Sequence, residues 1–285
     1  MTFSLFLTIL LGGIFTGALY GLFAGGLTFQ LGSLSIANFG YGSWLVLAMY
    51  TSFFALDLWQ VPLPLLIVVL PLLYFALGYL IRNTVLRHQT LAVQILTTLG
   101  VAMVVDGFIF LAYTPAPRTL GIVEPLLHLT PDIHVGLFRL LAFVVAAALL
   151  VAFQLFLRRA YLGKMIRAVV EEPEAAQLMG IPSDRVLSTA FGLSFVLIAV
   201  AGILMIHLFP VTSSAGGTYQ LMSFLIATVA GLGNVRGAFF AGIAIGVLNA
   251  FLLYFASSYA TVALFSLFVL VLVLFSGRTA GMRHI

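Results

Sequence analysis

The sequence contains no cysteine and very little charge. Without cysteine among its 285 residues, the chain has no disulfide, thiol nucleophile or thiolate metal site. Only 7% of the residues are charged, against about 25% in soluble domains. A G-x-x-x-x-G-K-[ST] phosphate loop is also missing, because the only Gly-Lys pair, Gly163-Lys164, is followed by Met165. These absences exclude a soluble domain, a thiol enzyme and a nucleotide hydrolase of the phosphate-loop class.

Apolar residues dominate the chain and recur in long runs. They make up 63% of the sequence, and stretches of about 20 residues, enough to cross a hydrocarbon core, repeat along its length. The net charge of +4 does not indicate a nucleic-acid partner, because the basic residues lie in predicted loops. The sequence predicts an all-α polytopic membrane protein in the lipid bilayer. It should form one transmembrane domain over residues 1–285, with about eight to nine membrane-spanning helices.

An early segment, residues 25–43, is hydrophobic but broken by glycine and serine. Irregular backbone at membrane depth is tolerated only where protein or a cavity surrounds it, and interrupted helices often bind the solute in transporters. We expect a broken or re-entrant segment here, with Ser33, Ser35 and Asn38 as polar pathway candidates. An ordinary turn between the first two helices is the alternative. The apolar segment at residues 219–231 is short for a full span.

Asp106 is the only acid deep inside a predicted span. A carboxylate within the membrane is costly and is a functional candidate by default. The alternative is an acid that is hydrogen-bonded to a neighbouring helix or lies near the outer interface. The other pathway candidates are Thr97, Thr98 and Ser213. No catalytic residue and no metal site are predicted, because the five histidines are scattered without a usual ligand spacing.

Three glycines in the first predicted helix, Gly13, Gly17 and Gly21, are spaced four residues apart. This spacing places them on one face and permits close helix packing in lipid. We expect general helix packing here rather than a defined dimer face.

The charge that the chain does contain is concentrated in Arg158–Arg185, which carries nine of the twenty charged residues. Pro173 suits the first turn of a helix and Gly180 can end one, which predicts a short helix over Glu174–Met179. Its alanine and methionine side chains would form a small apolar face suited to a groove on a partner in water. Ser183 is the predicted N-cap of the next helix. An ordinary solvated amphipathic loop is the alternative.

The basic residues also predict the side of the membrane that each loop occupies. Suppose that Arg82–His88, Arg158–Arg185 and Arg236 face the cytoplasm together with the C-terminal tail. Ten of the twelve Lys and Arg residues then lie inside, and only Arg118 and Arg139 lie outside. This requires the short late segment to cross the membrane. The N-terminus is then expected outside and the C-terminus in the cytoplasm.

Several motifs point to one family. Glu174-Ala175-Ala176 followed by Gly180 fits the E-A-A-x-x-x-G signature of permease subunits of bacterial ABC importers, without the I-x-L-P ending of its longer form. Further matching stretches are residues 26–37, 163–168, 175–181, 191–194, 201–204 and 231–238. On these residues the chain resembles the LivH/LivM-type branched-chain amino-acid permeases over almost its whole length. The resemblance is most specific from residue 158 to residue 246.

Three positions depart from the family pattern. The family's early A-H-G motif reads Ala37-Asn38-Phe39, Ala230 replaces a late glycine, and Asp106 is unexpected. These positions lie where the pathway is expected. The family's substrates range over branched-chain amino acids, urea, short amides and other small acids, with branched-chain amino acids the first expectation.

The resemblance also implies an assembly. It implies a second permease subunit, either LivM-like or a copy of this chain, two cytoplasmic ABC ATPases and a periplasmic substrate-binding protein. The chain would lie in the bacterial inner membrane, would not itself be an enzyme and would bind no cofactor, because ATP and magnesium belong to the ATPases. The charged segment would couple ATPase closure to the membrane helices. The implied coupling residues are Arg158, Lys164, Arg167, Glu171, Glu174, Ala175, Ala176 and Gly180.

Two other classes remain as alternatives. An ion-coupled secondary transporter or channel needs a coupling group in the membrane, and Asp106 is the only carboxylate that qualifies. An intramembrane enzyme needs a nucleophile or a metal constellation in the spans, for which the sequence offers no pattern.

Overall fold

A computed structural model describes residues 3–113, 116–121, 126–130 and 133–279, with only the backbone described for residues 126–130, 133–135, 258 and 274–279. Predictions about the basic tail after Thr279 and about parts of the loop between residues 114 and 132 therefore lie outside the described residues.

The regular secondary structure of the described residues is helical apart from one short antiparallel strand pair. The α-helices are α1 (Phe3–Thr28), α2 (Tyr41–Asp57), α3 (Leu63–Thr84), α4 (Leu91–Tyr113), α5 (Leu137–Arg159), α6 (Tyr161–Glu171), α7 (Pro173–Leu178), α8 (Ser183–Ile206), α9 (Gly216–Ala230), α10 (Val235–Ala256) and α11 (Ala260–Thr279). The strands are β1 (Leu126–Thr130) and β2 (Ile133–Gly136), paired so that Leu126 lies opposite Gly136. A π-helical turn, Phe29–Ser33, extends α1, and a 3₁₀ turn, Ser257–Tyr259, joins α10 to α11.

Six helical segments of the described chain are long and apolar enough to cross a membrane. They are Phe3–Ser33, α3, α4, α5, α8 and α10. The other apolar helices are shorter: α2 has 17 residues, α9 has 15, and the apolar part of α11 is Ala260–Val273. The prediction of an all-α polytopic membrane protein is confirmed, whereas the count of eight to nine spans is not.

The glycine face of α1 packs against α10 of the same chain. A Cβ atom on Gly17 would lie 2.6 Å from the Gly242 carbonyl oxygen, and one on Gly21 would lie 2.9 Å from the Cα atom of Phe239. Gly13 contacts the backbone of Val247 in the same way. The two helices therefore run antiparallel at backbone contact, which only residues without a side chain permit. The expectation of helix packing is confirmed, and its partner lies within the chain.

The core surrounds α8, which is buried on nearly all sides. Phe191, Phe195 and Ile198 are inaccessible to solvent, and the helix also contacts α2 and α3. In contrast, α3 and α4 bury one narrow face and expose large apolar side chains such as Leu72 and Met103. Such outward faces suit lipid or another membrane subunit, because neither contact exposes apolar surface to water.

The chain is broken between α1 and α2, as the glycine- and serine-rich sequence predicts, but the break begins later than expected. Gly25 and Gly26 remain helical, and only residues 34–40 are irregular. This irregular segment is not an exposed turn, because Leu34, Ile36 and three of its other residues are buried in the fold. Irregular backbone is thus surrounded by protein, as membrane depth would require.

Candidate functional site

The charged segment at residues 158–185 forms two short helices, α6 and α7, between α5 and α8. Helix α6 is amphipathic, with Ile166 and Val169 buried and its charged side chains exposed. Helix α7 spans Pro173–Leu178, one residue earlier at each end than predicted. Gly180 ends it with a φ of +80°, a left-handed conformation that glycine adopts without steric cost. The prediction of a short helix between Pro173 and Gly180 is confirmed.

The end of α7 presents large apolar side chains to solvent. Leu178 is 89% exposed and Met179 is 82% exposed, and Ala175 is exposed beside them. Ala176, in contrast, is 4% exposed and packs inside the chain. The apolar face of the predicted docking helix therefore consists of Ala175, Leu178 and Met179. Exposed apolar residues at a charged, water-facing segment are typical of an unfilled protein interface.

The junction between α5 and α6 is held at one carbonyl group. The Arg167 guanidinium donates from Nη1 to the Leu157 carbonyl oxygen at 2.9 Å. Gly163 lies against the same oxygen so closely that a Cβ atom there would overlap it. One of the open C-terminal carbonyls of α5 is thereby satisfied by a basic side chain, which favours the end of a helix. The start of α6 is therefore packed directly against the end of α5.

The other end of the charged segment is tied to the loop after α3. The Asp184 carboxylate contacts Arg82 at 3.7 Å, Arg87 at 2.8 Å and His88 at 3.7 Å. The Arg82 side chain is 8% exposed, and two of its nitrogen atoms have no hydrogen-bond partner. Ser183 is not the N-cap of α8 as predicted; it is the first helical residue, Pro182 precedes it, and its hydroxyl group has no partner. The contact places residues 82–88 and the charged segment at the same end of the protein.

Seven of the eight predicted coupling residues are exposed at this end; the exception is Ala176. A cavity of about 260 Å³ lies beneath α6, lined by Arg158, Arg167 and Glu171 and, from the opposite side, by Ser33 and Gly233. Ser33, a pathway candidate, therefore lies beside the charged segment.

Polar side chains of two helices hold the irregular segment between α1 and α2. The Ala37 amide donates to Gln94 Oε1 at 3.2 Å, and the Phe39 amide donates to Thr98 Oγ1 at 3.0 Å, both on α4. Just after the segment, the amide of Gly42, the second residue of α2, donates to Oε1 of a glutamine on α9, Gln220, at 2.7 Å.

Asn38 completes this network. Its Oδ1 atom accepts from the Gly40 amide at 3.1 Å, and its own carbonyl oxygen accepts from Gln220 at 3.4 Å. Asn38 is 1% exposed and Thr98 is 4% exposed. Two predicted pathway residues, Asn38 and Thr98, therefore form hydrogen bonds with backbone groups of this segment. A backbone group left without a hydrogen bond in an apolar environment would be costly. Gln94 and Gln220, which also bind this part of the backbone, were not predicted as site residues. A glutamine within an apolar helix is nevertheless a polar group that needs a partner, so the sequence could have indicated them.

Asp106 faces a different group of residues. A Cβ atom placed on Gly216, the first residue of α9, would lie 3.1 Å from Ser43 Oγ and 3.2 Å from Asp106 Oδ1. The Asp106 side chain is half-buried and is hydrogen-bonded to the Ser43 side chain of α2, while its Oδ1 atom is inaccessible to solvent. Ala215 occupies the N-cap of α9 and cannot cap it with a side chain. The structure thus brings an intramembrane carboxylate to the uncapped start of a helix.

The remaining pathway candidates are not concentrated at one point. Ser35 is exposed in the break after α1 with a φ of +54°, a conformation that favours glycine. Thr97 is half-buried on α4, and Ser213 is half-buried in the connection before α9. Ser43 and Gly216, which lie beside Asp106, were not singled out from the sequence, because their proximity depends on three separate helices.

Comparison with known proteins identifies the family. Residues 9–276 match the sequence model of a family described as branched-chain amino acid transport system, permease component. The high-affinity branched-chain amino acid transport system permease protein BraD of Pseudomonas aeruginosa is 26% identical over 281 residues, covering 92% of each chain. The corresponding protein LivH of Escherichia coli K12 is 24% identical over 290 residues, covering 95% of this chain and 94% of LivH.

An archaeal protein and one solved structure extend the comparison. A probable LivH of Methanocaldococcus jannaschii is 26% identical and covers 88% of this chain. The solved structure of PsaBC from Streptococcus pneumoniae in complex with Fab superposes with a TM-score of 0.51 over 93% of this chain and 90% of that chain, at 15% identity. That likeness concerns the fold alone. The resemblance predicted from the motifs is confirmed: the chain belongs to the family of permease components of branched-chain amino acid transport systems.

Proposed function

We propose that this chain is the membrane-spanning permease subunit of an ATP-driven ABC importer that moves branched-chain amino acids into the cytoplasm. The family match over residues 9–276 carries this proposal. Relatives named as branched-chain amino acid permeases, aligned over most of their lengths, support the same substrate class. The chain forms one transmembrane permease domain and supplies no nucleotide-binding motif of its own.

In this proposal, α6 and α7 transmit the movement of a cytoplasmic ATPase. The exposed Leu178 and Met179 side chains seat in a groove of the ATPase, a mode of binding that needs only a short helix with an apolar face. The Leu157 carbonyl carries the displacement into α5, and Asp184 carries it toward α3. Both ends of the coupling segment are thereby connected to membrane helices.

The same arrangement supports the proposed orientation. Asp184 brings Arg82 and Arg87 to the charged segment, and Gly233 lines a cavity with Arg158, so the basic loops assumed to be cytoplasmic lie at one end. Counting α2, α9 and α11 with the six longer segments gives nine passes. The N-terminus then lies outside and the C-terminus in the cytoplasm of a bacterial inner membrane.

The proposed complex contains a second permease subunit, LivM-like or identical, two ABC ATPases and a periplasmic substrate-binding protein. Reconstitution of these components in vesicles tests the function directly. We expect uptake of radiolabelled leucine, isoleucine and valine that requires both ATP and the binding protein. Uptake driven by an ion gradient without ATP would instead indicate a secondary transporter. A complex that imports a different solute would overturn the substrate assignment but not the permease assignment.

A further inference from the structure

A groove runs between α5 and α10 and opens at the surface of the chain. It has a volume of about 370 Å³, and most of its lining side chains are apolar. Helix α1 lies behind it, because a Cβ atom on Gly25 would be 2.8 Å from a methyl carbon of Leu150 and 3.7 Å from one of Val235, which both line the groove. At the opening, the lining residues Val151 and Phe240 are 59% and 69% exposed. The groove is therefore a concave apolar surface that the described part of the chain leaves uncovered.

The length of the groove corresponds to about one leaflet of a bilayer. Its lining on α5 begins at Ala147, and the stretch from there to Arg158 is about 16 Å long at about 1.5 Å per residue. A hydrocarbon core is about 30 Å thick, so that this stretch crosses about half of it. Beyond Ala147 the two helices are joined, because the rings of Phe143 and Phe239 pack with their centroids 6.2 Å apart. The groove thus fits an acyl chain from one side of the membrane.

The end of the groove at the start of α10 is basic. Arg236 lines the groove itself, Arg158 lines the adjoining cavity beneath α6, and Gln154 lines both. Both arginines are exposed, and neither forms an ion pair with an acidic side chain of the residues that the structure describes. The acid lining the adjoining cavity is Glu171, which Arg158 and Arg167 outnumber. An anion at this end therefore meets an excess of positive charge.

The position of Arg236 is unfavourable for the helix that carries it. Arg236 is the second residue of α10, and the first turn of a helix already carries partial positive charge. The helix is capped without it, because Asn234 Oδ1 accepts from the Gly237 amide at 2.9 Å. An anionic group from outside the chain would offset both positive charges. Basic pockets between spanning helices at the cytoplasmic surface bind the phosphate-containing headgroups of anionic lipids.

We propose that this groove binds one anionic phospholipid of the cytoplasmic leaflet, with its phosphate beside Arg236 and Arg158 and one acyl chain along Val151 and Phe240. The leaflet follows from the proposed orientation, and the site goes beyond the proposed function because no step of solute transport enters it. A choline lipid fills the groove but brings a second cation to the arginines. A soluble phosphate compound uses the basic end and leaves the apolar groove empty. An anionic phospholipid complements both parts.

The first test measures lipid affinity by native mass spectrometry of the full-length chain purified with its partner subunits. We expect dioleoyl phosphatidylglycerol to bind at least fivefold more tightly than dioleoyl phosphatidylcholine. Arg236→Gln should weaken binding of the glycerol lipid about fivefold, the usual contribution of one basic residue at an anionic membrane surface, and should leave the choline lipid unaffected. The control is Arg185→Gln, which removes the same charge at an exposed position in α8 outside the groove. This variant should bind as the native chain does.

Three results of this measurement would overturn the proposal. Equal affinity for the two lipids would show that charge does not select the occupant. An equal loss in Arg236→Gln and Arg185→Gln would show only general attraction to a basic surface. Displacement of the lipid by millimolar glycerol 3-phosphate would show that the headgroup alone is bound and that the groove has no part in binding.

The second test locates the acyl chain with a phosphatidylglycerol that carries a photoreactive diazirine in that chain. We expect cross-links to residues 151–155 and to Phe240. Ala147→Phe, which places a ring in the groove, should lower their yield several-fold. Ala148→Phe, the same change at the next and exposed residue of α5, should not. Cross-links confined to other helices would overturn the proposal, as would cross-links between Phe240→Cys and the second permease subunit, because that subunit would then fill the groove.

These outcomes are distinguishable from failure of the proposed function, since neither measurement involves transport. A complex that imports no branched-chain amino acid still shows whether the groove binds the lipid. A groove that binds no anionic lipid leaves the permease assignment as it stands. If Arg236→Gln does not fold, the cross-linking pattern of the native chain decides the question.

Discussion

Arg167 donates a hydrogen bond of 2.9 Å to the carbonyl oxygen of Leu157, across the joint between the last membrane turn of α5 and the first helix of the charged segment. The contact joins an exposed charge to the end of a membrane helix. Because Gly163 touches the same carbonyl group, the joint is both hydrogen-bonded and closely packed. Four predictions concern this joint, the exposed end of α7, the ion pairs of Asp184 and the hydrogen bond of Gln220.

Gly163→Ala should disturb the joint between α5 and α6. The added methyl group would overlap the Leu157 carbonyl oxygen, so that the two helices must separate, at a cost of about 1–3 kcal/mol. We expect a lower unfolding temperature and ATP hydrolysis that is poorly coupled to uptake. The control is Gly12→Ala, where a Cβ atom meets nothing within 4 Å and neither quantity should change. A native ratio of uptake to ATP hydrolysis in Gly163→Ala would contradict a rigid joint.

Replacing Leu178 and Met179 together by serine should weaken ATPase binding. Large apolar side chains at the centre of an interface often contribute about 2 kcal/mol or more, which corresponds to a loss of about thirtyfold in affinity for each side chain removed. Co-purification of the ATPase and its dissociation rate measure the effect.

The control for this change is Tyr161→Ser, which removes another large exposed side chain, at the start of α6. Ala175→Glu should weaken ATPase binding without loss of folding, whereas Ala176→Glu should destabilise the chain because that position is buried. ATPase binding that survives the change of Leu178 and Met179 would place the docking surface elsewhere.

Asp184→Asn should destabilise the chain more than Arg87→Gln. The carboxylate is the ion partner of Arg82, whose side chain is 8% exposed, and an unpaired buried charge costs about 1–3 kcal/mol or more. Arg87 is 49% exposed, so that its ion pair with the same carboxylate contributes only about 0–1 kcal/mol. Thermal unfolding in detergent measures both variants. An equal loss of stability in the two variants would show that the ion pair between Arg82 and Asp184 does not stabilise the chain.

Gln220→Leu should loosen the irregular segment between α1 and α2. The change keeps a side chain of similar size but leaves the Gly42 amide without its acceptor at 2.7 Å, at a cost of about 1–3 kcal/mol. We expect a lower unfolding temperature and faster hydrogen exchange in residues 34–42. Gln60→Leu, at an exposed position after α2, is the control. Native exchange rates in Gln220→Leu would show that the segment is held by packing alone.

Much of the fold follows from local features of the sequence. Pro173 and Gly180 bracket α7 closely because both act through their own backbone geometry, which depends little on distant residues. The glycine row of α1 predicts close packing for the same reason, but its partner, α10, lies more than 200 residues away in the chain, and no local pattern identifies it.

The polar residues within the apolar helices show the limit of such inference. Thr98, Asn38 and Asp106 all appear as pathway candidates, since each is a polar group that a span must accommodate. The structure assigns Thr98 and Asn38 to buried backbone amides. Asp106 instead meets Ser43 and Gly216, from two other helices, and is hydrogen-bonded to the Ser43 side chain.

The sequence by itself determined that this protein is helical, lies in a membrane, belongs to a permease family and concentrates its charge in one segment, Arg158–Arg185. Composition, helix-end residues and motifs are local properties of the sequence. Burial of apolar residues is favourable whichever helices pack together, so these features can be interpreted without the tertiary structure. Only the tertiary structure decided which polar groups of the apolar chain become hydrogen-bond partners of one another. That distinction arises from contacts between distant helices, and a hydrogen bond depends on positions within a few tenths of an ångström.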